Sequence, residues 1–325
     1  MARPLRIQYA GAVYHVTCRG NEQKDIFKDD DDRKKMLEIL TRSLNIYTVK
    51  LFSYVLMNNH FHLLVETPLG NLAEFMRHFN IAYTGYYNRR HGRSGHLYQG
   101  RYKSILVDKE AYLSILSRYI HLNPVRIKAM SRVLIEKKVR ILERYPWSSL
   151  QGYLTKGKKE PFIGYAMVLD EYGGDTDRAR KGYKDALYTE LSDGMEIKDK
   201  ILGQSILGRD EFVKWVRKRF IDKGKSKELP AVKEIHRYCS QDSILRIIKE
   251  ETGKILDDLR EEKGVYRQIA MDLLYRLGGL KGEEIGRLFG VGYTSVSQER
   301  RRLGERLQQD RKLRGLLNRI KGICE

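Results

Sequence analysis

Two histidines stand one residue apart in VLMNNHFHLLVETP, residues 55–68, a run that otherwise alternates and buries like a β-strand. Side chains at i and i+2 of a strand project to the same face. His60 and His62 therefore lie side by side, while Phe61, Leu63 and Val65 take the opposite, core-facing side. Neutral imidazole is a common metal ligand, so the pair either binds a metal or is two exposed histidines without a role. Further along, SRYIHLNPV places Tyr119 and Asn123 four apart, on one helical face. Either a phenol nucleophile and an amide ligand are presented together there, or Tyr119 is one of 21 tyrosines, packed against a sheet. Pro124 disfavours α geometry at Asn123 and puts that residue at the helix end. His121, two residues from Tyr119, points away from it on a helix and reads as structural.

These groups need a scaffold, and the hydrophobic pattern supplies one. AVYHVTC reads as a strand, and DDRKKMLEILTRSL as a helix with Met36, Leu37, Leu40 and Leu44 at helical spacing behind starting aspartates. VKLFSYVLM and HFHLLVET read as strands joined at Asn58-Asn59. LAEFMRHFNIAYTGYYNRR follows as a helix with Leu72, Phe75, Met76, Phe79, Ala82 and Tyr83 on one face, then a strand around RYKSILV and a helix EAYLSILSRYIHLN. The order βαββαβα over residues 1–150 predicts a ferredoxin-like split βαβ sheet with helices packed on one side. Residues 151–221 read as an irregular helical extension without assignable chemistry. Residues 222–230, charged and closed by Pro230, read as a linker, and 231–325 as all helix. The expected class is α+β, a sheet domain followed by an all-α domain.

Lys and Arg outnumber Asp and Glu by 62 to 42, a net charge of +20, so the chain is a polyanion binder or merely a soluble basic protein. Nucleic acid is the better fit, since no lone basic amphipathic helix with a Trp/Leu face favours a membrane. No apolar run approaches the roughly 18 residues that span a bilayer, and the N-terminus lacks the apolar stretch of a signal peptide. A cytoplasmic address is expected. Cys18, Cys239 and Cys324 form no CxxC pair, which argues against a disulfide framework or a thiolate zinc site. A metal here would take histidine, oxygen or amide ligands.

Between residues 83 and 103 tyrosines alternate with bases: Tyr83, Tyr86, Tyr87, Arg89, Arg90, Arg93, Tyr98, Arg101, Tyr102 and Lys103. Aromatic faces stack bases and cations follow phosphates, the pattern of single-strand binding. Tyr83 and Tyr86 fit equally into the core stripe of their helix. Arg101, Tyr102 and Lys103 are the foremost single-strand contacts. Residues 266–307 have the spacing of a helix-turn-helix: GEEIGRLFG as first helix, Gly290 to Gly292 as turn, and Thr294 as N-cap of a second helix carrying Ser297, Gln298, Arg300, Arg301 and Arg302. The alternative is a surface helix with solvated arginines.

NNHFHLLVETP, GHLYQGRYKSILVD, YLSILSRYIHLNPVR and YPWSS, with the opening RIQYAGAVYHVTCRGN, resemble the HUH single-tyrosine transposases of insertion sequences, particularly the branch associated with repetitive extragenic palindromes (REP). The resemblance covers about residues 1–150. It implies a histidine–hydrophobe–histidine pair at His60 and His62, a nucleophile at Tyr119, and a further polar ligand at Asn123, where related branches carry glutamine. An amide oxygen suits a hard divalent ion, so Mg²⁺ or Mn²⁺ is implied. It further implies single-stranded or hairpin DNA as substrate, a 5′-phosphotyrosine intermediate, and a monomer or a homodimer in different branches. The sequence does not identify the group that activates the phenol.

The C-terminal region is similar to the duplex-binding domain of the bacterial replication initiator DnaA, through RQIAM, EIGRLFG and the following TSV. That likeness implies duplex contacts from Arg267, Tyr293, Thr294 and Ser295, joined by Gln298 and Arg301 on the same helix. Gly292 and Tyr293 replace the family's aspartate and histidine, so its DNA sequence preference does not carry over. The expectation is a metal-dependent DNA transposase, a single-strand endonuclease and strand transferase, fused to a sequence-specific duplex reader. Two rivals stand beside it: a non-catalytic DNA-binding regulator with a vestigial nuclease fold, and a metal-dependent RNA phosphodiesterase that uses activated water.

Overall fold

The computed structural model describes residues 6–193, 197, 200–221 and 239–324. The chain divides into two compact units, one ending at Phe212 and the other beginning at Val213.

The first unit is built on a mixed sheet of β1 (Ala12–Arg19), β2 (Lys50–Met57), β3 (His60–Thr67), β4 (Lys103–Val107) and β5 (Ile206–Leu207), in the order β2-β3-β1-β4-β5. The first four pair antiparallel, the arrangement expected of a ferredoxin-like unit. β5 adds to the β4 edge in parallel. Two residues are too few to display alternation, so the hydrophobic pattern predicts no strand there.

Between β1 and β2 runs α1 (Asp30–Tyr47), capped by Asp29, whose carboxylate accepts the Asp32 N–H at 3.0 Å. α2 (Leu72–Arg90) follows β3 and buries Leu72, Phe75, Met76, Phe79, Tyr83 and Tyr87. Its Phe79 ring lies 5.6 Å from Phe61, on the Phe61, Leu63, Val65 face of the sheet. α3 (Lys109–His121) covers the opposite face, where Ser117 Oγ meets Ser53 Oγ at 2.6 Å. Helices therefore pack on both faces, not on one as expected. The reason is in the histidine-bearing face itself: it also carries Val13, Val55 and Leu64, apolar side chains that need cover.

The extension comprises α4 (Ile135–Arg144), α5 (Leu150–Leu154), α6 (Tyr165–Leu169) and α7 (Asp177–Asp193). YPWSS pins it to β2. Tyr145 Oη donates to the Leu56 carbonyl at 2.6 Å, and the Leu56 N–H donates to the Trp147 carbonyl at 2.8 Å. His121, as expected, is structural. Fully buried, it bonds Tyr183 Oη of α7 through Nδ1 at 2.7 Å and Ser149 Oγ through Nε2 at 2.8 Å.

The division between units falls within α8 (Asp210–Val216). The second unit then runs through α9 (Gln241–Thr252), α10 (Leu256–Glu261), α11 (Val265–Arg276), α12 (Gly282–Phe289), α13 (Tyr293–Gln309) and α14 (Arg311–Cys324). Ile244, Ile248, Ile269, Leu273, Ile285, Phe289, Val296, Leu303 and Ile320 belong to its own closed core. α12 and α13 meet through a tight turn. Gly290 is left-handed (φ 66°), and a Cβ on Gly286 would meet the Val291 carbonyl oxygen at 2.5 Å. Gly292, not Thr294, is the N-cap of α13: its carbonyl already accepts the Ser295 N–H at 3.0 Å, so the helix starts two residues earlier than the Thr294 cap would have it. The linker expected at 222–230 lies outside the described residues.

Candidate active site

Strand pairing puts Arg19 opposite His60, Thr17 opposite His62 and His15 opposite Leu64, all on one face of the sheet. The rings of His60 and His62 are 5.2 Å apart. His62 is only 8% exposed and its Nδ1 lies 2.8 Å from Nε2 of His15, the two ring planes within 17° of each other and their centroids 5.1 Å apart. His60 is half-buried, and its Nδ1 lies 2.7 Å from Oδ1 of Asn59.

α3 delivers Tyr119 to the same place. Its ring stands edge-on to His15, centroids 6.0 Å apart, so His15 touches both His62 and the tyrosine. Sequence spacing gave no sign of His15, because the β1–β3 register that aligns it is non-local. A second group was also missed. Arg126, just past the turn Asn123–Val125, holds its guanidinium carbon 5.3 Å from the Tyr119 ring centroid. Burial pushes the Tyr119 phenol above its ordinary value, and the Arg126 charge offsets only part of that rise. Pro124 ends α3 as expected, and Asn123 closes the helix: its Nδ2 donates to the carbonyls of Tyr119 and Ile120 at 3.0 and 3.1 Å. Oδ1 is then the atom the amide presents.

The donor chemistry fits a divalent cation. Burial brings His60 down to about 4, helped by Arg19, and burial alone brings His15 to about 4. His60 is therefore neutral near pH 7, and the Asn59 carbonyl oxygen accepting at Nδ1 leaves the lone pair on Nε2, the arrangement of a ligating histidine held by an outer acceptor. Among the described residues no three His, Cys, Asp or Glu side chains cluster to hold a metal, so a third protein ligand would come from another donor class, such as the Asn123 amide.

Around this site, Arg101 and Lys103 are exposed, and Lys103 pairs with Thr17 on the histidine face. Arg19 is exposed directly opposite His60. Tyr102 is buried, with the Arg6 guanidinium 4.1 Å over its ring, so that face is covered. Tyr83, Tyr87 and Tyr98 are buried as well, and Tyr86 is half-buried. Most of the aromatic alternation in 83–103 is core.

In the second unit, Tyr293, Thr294, Gln298 and Arg301 are exposed and Ser295 is half-buried, all on α13. Arg301 pairs with Glu305 at 3.1 Å. Arg267 sits elsewhere. It is 5% exposed within the buried run Arg267–Leu274 of α11, and its Nη1 donates to the Arg260 carbonyl at 3.0 Å. Its side chain is buried inside the unit, whereas those of Tyr293, Thr294, Gln298 and Arg301 are exposed.

Residues 8–123 match the family described as transposase IS200 like, and this stretch is an IS200-like transposase domain. Proteins of that family are tyrosine nucleases and typically use a divalent metal. Among solved structures, a REP-associated tyrosine transposase bound to a REP hairpin is similar at 13% identity and a TM-score of 0.39, covering 50% of this chain and 92% of its own. No curated protein matches the chain.

Proposed function

From the IS200-like domain over residues 8–123 we infer a DNA transposase that nicks and rejoins single-stranded or hairpin DNA through a tyrosine-linked intermediate. One observation carries the reading: Tyr119 and His62, on different elements, both meet His15, and His60 lies beside His62. Spacing makes each half plausible; convergence makes them one site.

In this mechanism Tyr119 Oη attacks the scissile phosphorus. The Oη–P bond forms as the P–O3′ bond breaks, the phenol loses its proton and the departing 3′ oxygen gains one. The products are a 5′-phosphotyrosine and a free 3′-hydroxyl. Because the phosphodiester's energy stays in the new bond, a second 3′-hydroxyl reverses the step on another strand without ATP. Arg126 favours negative charge on the phenol oxygen during attack. His60 and His62, with Oδ1 of Asn123, would hold Mg²⁺ or Mn²⁺. When bound, that ion supplies charge to polarise and orient a non-bridging phosphate oxygen. Arg19, Arg101 and Lys103 would track the strand's phosphates.

The second unit would read duplex DNA. Tyr293, Thr294, Ser295 and Gln298 at the exposed start of α13 would face base edges and Arg301 the backbone, the geometry of a recognition helix. The test is direct. Incubated with labelled oligonucleotide and Mn²⁺, the protein should form an SDS-stable protein–DNA band. Cleavage without that band would instead indicate hydrolysis by water, and binding without cleavage a regulator.

A further inference from the structure

We infer that His15 is the positioning residue of the site: it accepts the Nδ1–H of His62 and so fixes the tautomer in which Nε2 of His62 holds the lone pair that a metal needs. The inference rests on the metal reading above and adds the residue that makes the pair competent. His15 and His62 approach at 2.8 Å through Nε2 and Nδ1, a hydrogen bond that one of the two nitrogens must donate. If His15 donated, His62 would carry its proton on Nε2 and could not ligate there. If His62 donates, the lone pair is on its Nε2 and the His15 proton moves to Nδ1. Ligation through His62 Nε2 and the second arrangement are therefore the same condition.

The fold makes this contact rigid. His15 is buried on the central strand β1, paired on one side with Leu64 of β3 and on the other with Ile105 of β4. Its ring lies nearly coplanar with that of His62 and meets Tyr119 edge-on. The two histidines that pair with a metal thus have different outer partners, Asn59 for His60 and His15 for His62. A carbonyl oxygen can only accept, whereas an imidazole can do either, so it is the His62 tautomer that depends on its neighbour.

The test uses the full chain as wild type, His15→Phe and His15→Gln. Phe keeps a flat ring against Tyr119 and removes the acceptor; Gln restores an acceptor. Mn²⁺ titration followed by electron paramagnetic resonance should show about 10–100-fold weaker binding in His15→Phe, the usual loss on removing such an outer partner, and partial recovery in His15→Gln. In ¹⁵N-imidazole NMR of the metal-free wild type, His62 should carry its proton on Nδ1. Equal Mn²⁺ affinity in wild type and His15→Phe, or a wild-type His62 protonated on Nε2, would overturn the inference while leaving the nuclease reading intact. A wild type that binds no Mn²⁺ would overturn the metal reading and this inference together. Should His15→Phe not fold, the wild-type tautomer and the Gln variant still decide.

Discussion

Arg126 lies over the face of Tyr119, its guanidinium carbon 5.3 Å from the ring centroid, and the same ring meets His15 edge-on. A cation at that distance is worth about 1–2 kcal/mol to the ring when partly desolvated. Arg126→Ala should therefore slow adduct formation at saturating DNA by about 5–30-fold, and Arg126→Lys should recover part of it. Quench-flow measurement of the SDS-stable band gives the rate. An unchanged rate would mean that the guanidinium only packs there.

Tyr119→Phe should abolish the covalent band and leave single-strand binding within about twofold, since only the hydroxyl is lost. Tyr112→Phe, on the first turn of the same helix, should retain the band. If the two variants behave the other way round, the nucleophile has been misassigned.

His60→Ala, His62→Ala and EDTA should each abolish cleavage, because all three remove the ion that orients the phosphate. Asn123→Ala should act less severely: two imidazoles and water can still hold the ion, although the variant also uncaps the carbonyls of Tyr119 and Ile120. The comparison is a Mn²⁺ activation curve for each variant. Full activity in chelator would end the metal assignment.

His121 makes a prediction about the scaffold. Removing its ring in His121→Ala strips one partner from Tyr183 and one from Ser149 inside a buried contact between α3, α5 and α7. The expected cost is about 3 kcal/mol, or about 6–12 °C in the melting temperature of a unit this size. Calorimetry reads it directly, and a loss of adduct without a loss of stability would give His121 a role in the chemistry.

Much of this site is local and so was legible. The i, i+2 rule puts His60 and His62 on one face without knowledge of the fold, and four-residue helical spacing joins Tyr119 to Asn123. His15 was not legible, because its position against His62 depends on pairing two strands 47 residues apart. The face that α3 covers was equally hidden: an apolar stripe says that a helix packs, not against which side of a sheet. Tyr87, Tyr98 and Tyr102 were ambiguous for a related reason, since a stacking platform and a core stripe have the same composition and only burial separates them; Tyr83 already fitted the core stripe of its helix. Arg267 fell inside its unit on the same account.

The last prediction concerns the division of labour. The core of the second unit, from Ile244 to Ile320, is supplied by residues after 238, which is the physical basis for treating it as a separate unit. A chain ending at residue 230 should cleave a short single-stranded oligonucleotide at close to the wild-type rate while losing affinity for a preferred duplex. Within the full chain, Gln298→Ala should cost about 1–3 kcal/mol on that duplex and relax its sequence preference, as expected for a base contact. Arg301→Ala should weaken all duplexes alike and reduce the salt slope by about one unit, as expected for a phosphate contact. Its ion pair with Glu305 is highly exposed, so that pairing holds the guanidinium only weakly against a phosphate. A truncated chain that kept duplex affinity but lost single-strand cleavage would reverse the arrangement, and would make the C-terminal helices a support for the Tyr119 site.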